Sequence, residues 1–153
     1  MIKIENMIKT FINIFIIVLI YSVSFAQSAN ENWVPVAAEE GSTTFINVTG
    51  LSSFQGEDIY VWSLQEFKPP VIMDEEVGEV YKQKTYYLFN KEQKRYSIMQ
   101  ILLYSDNDNI LKSYNYDRNM KIKDFKYSLP IMTNSDADKI FMKCMEIISA
   151  PNQ

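Results

Sequence analysis

Apolar residues in this chain recur at period two through a series of short runs and change to helical spacing only once, close to the C-terminus. That pattern admits few architectures, since strands bury alternate residues and a helix buries every third or fourth. The runs are Asn32 to Ala37, Thr43 to Val48, Asp58 to Phe67, Tyr81 to Phe89, Lys94 to Tyr104 and Ile110 to Tyr116, separated by turn-forming Gly, Asn and Asp. Pro35 marks the first as an edge strand, because proline cannot donate to a ladder. In the third, Ile59 and Val61 point one way and Tyr60, Trp62 and Leu64 the other, so a central strand is expected. In the fifth, Tyr96, Ile98, Leu102 and Tyr104 alternate with Met99, Ile101 and Leu103. The stretch from Lys68 to Val80, with two prolines and Asp74-Glu75-Glu76, reads as a polar loop. Apolar residues at 140, 141, 144, 145, 147 and 148 form a helical stripe over 136–148, capped by Asn134 or Ser135. The expected fold is α+β, an antiparallel sheet of about six strands with one C-terminal helix on one face.

The N-terminus has a different character. Lys3 and Lys9 precede an apolar run from Phe11 to Tyr21, and Ser24-Phe25-Ala26 follows. The run is short of the about 20 residues a membrane span needs and ends in the small residues that signal peptidase accepts. Residues 1–26 are therefore read as a signal peptide and 27–153 as a single domain with no membrane span after cleavage. The product is expected to be exported to the periplasm, the outer-membrane surface or the medium of a bacterium. Cys144 is the one cysteine, so no intramolecular disulfide forms, and its place on the apolar helix stripe predicts a buried, inert thiol.

Charge and composition narrow the chemistry. Fifteen Lys and Arg against nineteen Asp and Glu give a net charge of −4, which argues against a nucleic-acid partner. Histidine is absent, and with it go Ser-His-Asp triads, Cys-His nucleophiles and the common zinc and haem ligand sets. The Ser105-Asp106-Asn107-Asp108-Asn109 turn lacks the glycine and the bidentate Glu at the twelfth position that a calcium loop needs, and the adjacent carboxylates of Asp74-Glu75-Glu76 read as a solvated acidic loop. No metal and no cofactor are expected. Ten Tyr, nine Phe and two Trp remain the distinctive feature. One helix covers one sheet face, so aromatics on the other are left to water, a second copy or a ligand. Trp62, Tyr114 and Tyr116 are the candidate anchors of that surface.

Trp33 at the start of the mature domain, Tyr60-Val61-Trp62 in a central strand, Tyr81 opening the next, Lys94-Arg95-Tyr96 leading a strand that ends at Tyr104, and Pro130, Ser135 and Cys144 around the helix occur in an order that resembles the surface-adhesin protein E family of bacterial envelope proteins. The family commonly pairs its helix cysteine with another before the Lys/Arg-rich strand; here that region reads Asn90-Lys91-Glu92. The resemblance implies an envelope-displayed domain that binds host or matrix proteins. The expected function is a non-enzymatic, adhesin-like binding module for a protein partner, with homodimerisation through the aromatic sheet face as one use of that surface. A small hydrolase using carboxylates alone, or a periplasmic structural or assembly component, are the alternatives.

Overall fold

The computed structural model describes residues 31–73, 75–116 and 126–150, so the expected signal peptide lies outside the described residues. Among the described residues, seven strands form one antiparallel sheet: β1 (Trp33–Glu39), β2 (Ser42–Asn47), β3 (Asp58–Ile72), β4 (Glu79–Asn90), β5 (Arg95–Tyr104), β6 (Ile110–Asn115) and β7 (Leu129–Pro130). The first six lie side by side in chain order, and the two-residue β7 pairs with β5 beyond the end of β6. Helix α1 (Asp136–Ser149) closes the described chain. Its N-cap is Ser135, whose hydroxyl accepts from the Asp138 backbone N–H at 3.2 Å. Asn134, the other capping candidate, instead sits at φ 64° immediately before the cap.

The expected α+β architecture is present, and two departures have physical causes. The stretch expected to be a polar loop is largely strand: β3 runs on to Ile72 and β4 starts at Glu79. Pairing jumps from Glu66↔Lys82 to Val71↔Val80, so Phe67 to Pro70 oppose the single residue Tyr81. A bulge tolerates the missing proline amides that a regular ladder would not. In β5, Tyr86 pairs with Gln100 and Tyr87 with Ile98, leaving Met99 as an extra residue. The alternation read from sequence therefore breaks there, and Tyr96 and Ile98 share a face with Ile101 and Leu103.

Register assigns the faces, since paired residues in an antiparallel ladder lie on the same side. Ile46, Ile59, Val61 and Phe89 line the side on which α1 docks Ala137, Ile140, Phe141 and Cys144, all buried. Cys144 is fully buried, as expected, and burial pushes its thiol pKa up to about 12. A thiol so placed stays protonated and out of reach. Thiol reagents should therefore label the native protein far more slowly than the unfolded chain. Cys144→Ser should cost about 1–2 kcal/mol through an unpartnered hydroxyl, read from denaturant unfolding. Phe67, Val80 and Leu103 form a second, smaller core with Ile101 and Tyr114 packed on it.

Candidate functional site

β3 and β4 present their other side chains on the face opposite α1. Trp62 pairs with Tyr86 and Tyr60 with Leu88. The Trp62 and Tyr86 rings stack at 4.7 Å with 19° between planes, and Tyr60 leans on Tyr86 at 6.1 Å. Each ring shades its neighbour, so Trp62 and Tyr86 are half-buried, while Tyr60 keeps 43 % of its surface exposed. Burial within the cluster, with a smaller contribution from Tyr60, raises the Tyr86 hydroxyl pKa above its ordinary value. Aromatic rings packed in this way offer contiguous apolar area on a sheet face, a surface suited to protein contacts. Phe45 and Leu64, cross-strand partners and both half-buried, extend the apolar strip toward Pro35. Lys84 places its ammonium 5.1 Å from the Trp33 ring beside it.

Of the three expected anchors, Trp62 is part of this cluster, stacked on Tyr86, and Tyr114 is not. Trp62, Tyr86, Gln100 and Asn115 lie in one row of the register, whereas Ser63, Thr85, Ile101 and Tyr114 lie in the next. Successive residues of a strand face opposite sides, so Tyr114 belongs to the helix side, where it packs on the second core. Tyr116, 42 % exposed, follows the end of β6 and donates its N–H to the Met99 carbonyl at 2.9 Å. Counting aromatics in the sequence could not separate the two faces, because the sign of each position depends on bulges that no spacing announces. Tyr60 and Tyr86 complete the surface.

A polar cluster borders the aromatic rings on the same face. Asp58 and Asn90 are paired across β3 and β4, one step beyond Tyr60. The segment before β7 arrives over them: Tyr127 donates its hydroxyl to Asp58 Oδ1, and Lys126 bonds Asp58 Oδ2. Asn90 Nδ2 donates to Asp58 Oδ1 at 3.1 Å and to the Tyr127 hydroxyl at 3.2 Å. Below this, Ser97, fully buried, donates to the Lys126 carbonyl at 2.7 Å and accepts from the Ser128 N–H at 3.0 Å. Arg95 donates to the Tyr127 and Ser128 carbonyls. Burial alone would raise the Asp58 carboxyl pKa, but the bonds from Lys126, Tyr127 and Asn90 outweigh it and hold the value below normal. The same bond to Asp58 raises the Lys126 ammonium. These groups satisfy one another, and the cluster fastens the segment before β7 to the sheet. About 69 residues separate its ends in the chain, and nothing local in the sequence signals their meeting.

Several carboxylates elsewhere are paired with lysines. Asp108 of the β5–β6 turn, at φ 58°, accepts from Lys82 at 2.8 Å. Asp74 of the acidic stretch lies outside the described residues, and Glu75 and Glu76 are exposed on a turn. Beside the β3 bulge a cleft of about 350 Å³ is walled by Phe67, Pro69, Pro70 and Tyr81, with Glu66 and Asp106 at its rim alongside Lys82. Among the described residues no group of three or more acidic or cysteine side chains is placed to hold a metal ion, and no helix is long and apolar enough to cross a membrane. Comparison with family models, curated proteins and solved structures returned no match.

Proposed function

We propose that this chain is an exported, non-enzymatic binding module of the bacterial envelope, similar in role to surface-adhesin protein E proteins, and that it engages a protein partner through the Tyr60–Trp62–Tyr86 face. The observation that supports this reading is the stacked aromatic cluster on the sheet side opposite α1, held by cross-strand pairing and partly open to solvent. Central aromatic anchors of this kind dominate protein interfaces, while neighbouring contacts contribute little. Resemblance in the order of Trp33, Tyr60-Val61-Trp62 and Lys94-Arg95-Tyr96 supports the same role.

The test begins with the protein recovered from the envelope, whose intact mass is expected to start at Gln27. Immobilised mature protein is used to capture host matrix proteins, and binding of the captured protein is measured by calorimetry. Trp62→Ala should weaken it by about 2 kcal/mol with folding retained, whereas Tyr114→Ala should leave affinity unchanged and lower stability instead. Parent-like binding by both Trp62→Ala and Tyr60→Ala would remove this face from the function.

A further inference from the structure

The two outer strands of the sheet are guarded unequally. In β1, Pro35 lacks an amide hydrogen and the ladder shifts between Pro35 and Ala37, two features that keep an edge from pairing. β6, at the opposite end of the strand order, contains no proline, and none of the described residues pairs with its outer side. Apolar side chains are exposed along it: Ile110 is 58 % exposed, Leu111 39 % and Tyr116, just past its end, 42 %.

Backbone direction shows which groups the edge offers. The Tyr116 N–H points to β5, where it meets the Met99 carbonyl. Successive residues in an antiparallel strand turn their amide groups to opposite sides, so Tyr114 also addresses β5, while Ser113 and Asn115 direct N–H and C=O outward.

We propose that β6 pairs antiparallel with β6 of a second copy of this chain, about a two-fold axis at Ser113, so that the two sheets become one. Such an axis stands perpendicular to the sheet and keeps like faces together, which restricts the pairing to residues of the same parity. Centring on Lys112 would set two ammonium groups against each other. Centring on Ser113 avoids this and matches the residues whose backbone groups point outward, so the two Ser113 residues exchange a pair of hydrogen bonds. Lys112 then faces Tyr114 of the second copy, and Ile110 faces Tyr116. The Lys112 ammonium already lies 5.4 Å from its own Tyr114 ring, so the pairing adds a second aromatic neighbour to a cation laid along the sheet. Ile110 against Tyr116 is a β-branched and aromatic pair of the kind that stabilises ladders. β6 spans only Ile110–Asn115, with a shift opposite Leu103 and Tyr104 at its start. The contact is therefore short, and the dimer depends on concentration.

This pairing leaves Tyr60, Trp62 and Tyr86 uncovered and does not rest on their role in binding. Sedimentation velocity of the mature chain over a concentration series tests it, with near-UV circular dichroism as the check on folding. The parent should self-associate, and Ser113→Pro, which removes the N–H at the axis, should raise the dissociation constant by about tenfold or more. Ile110→Glu alters a side chain that is mostly exposed and should act likewise; it decides the matter if Ser113→Pro fails to fold. Trp62→Ala should dimerise like the parent. A parent that stays monomeric throughout, parent-like association of the folded variants, or loss of the dimer in Trp62→Ala would each overturn the proposal.

Discussion

Phe89→Ala is expected to destabilise the domain by about 3–5 kcal/mol, the largest effect of any single substitution considered. Phe89 is fully buried and sits where three rings converge: Tyr87 at 5.3 Å, Tyr96 at 5.7 Å and Phe141 of α1 at 5.7 Å. It is the side chain that joins the middle of the sheet to the helix, and its removal leaves a cavity that flat strands cannot collapse to fill. Guanidinium unfolding followed by fluorescence should show a lower midpoint with an unchanged slope. Tyr60→Ala, on the exposed face, should lose far less. A cost below about 1 kcal/mol for Phe89→Ala would mean that α1 does not dock where described.

Asp58→Ala is expected to cost about 3 kcal/mol, because it strands several partners at once. The side chain of Tyr127 and the amide of Asn90 are almost wholly buried, and Lys126 would lose the carboxylate that fixes it. The pH dependence has a defined sign. Asp58 has a lowered folded pKa, so its stabilisation is present above the ordinary value of 3.8 and is lost as pH falls through the folded value beneath it. Lys126, raised above 10.5, contributes stability that is complete below that pH and is lost as pH rises through its folded pKa. Unfolding free energies measured from acid to alkaline pH should therefore fall at both extremes in the parent, and both slopes should flatten in Asp58→Ala. Equal slopes in the two proteins would show that the cluster contributes no pH-dependent stability.

Strand and helix identity was legible wherever periodicity was unbroken. Ile59 and Val61 do oppose Tyr60 and Trp62, and the stripe through Phe141 and Cys144 is the docking face of α1. Legibility failed where pairing is irregular. Pro69 and Pro70 looked like a loop because a bulge is a property of two strands together, and Met99 reversed the faces of β5 without any local signal. Tyr114 was assigned to the wrong side for the related reason that facing depends on register, and register is set by contacts across strands. The Asp58, Asn90 and Tyr127 cluster could not be read at all, since a lone Asp at a strand start is indistinguishable from a solvated one.

The tail of the domain passes around the sheet rather than lying on one side of it. Tyr127 is seated against Asp58 on the aromatic face, β7 follows the margin of β5, and Ile131 turns under to join the core beneath α1. Hairpins between consecutive strands close over short distances, whereas this wrap joins residues far apart in the chain and so closes late in folding. Once closed, it acts as a buckle: one short segment carries both the polar fastening on one surface of the sheet and a contact with the core beneath the helix on the other.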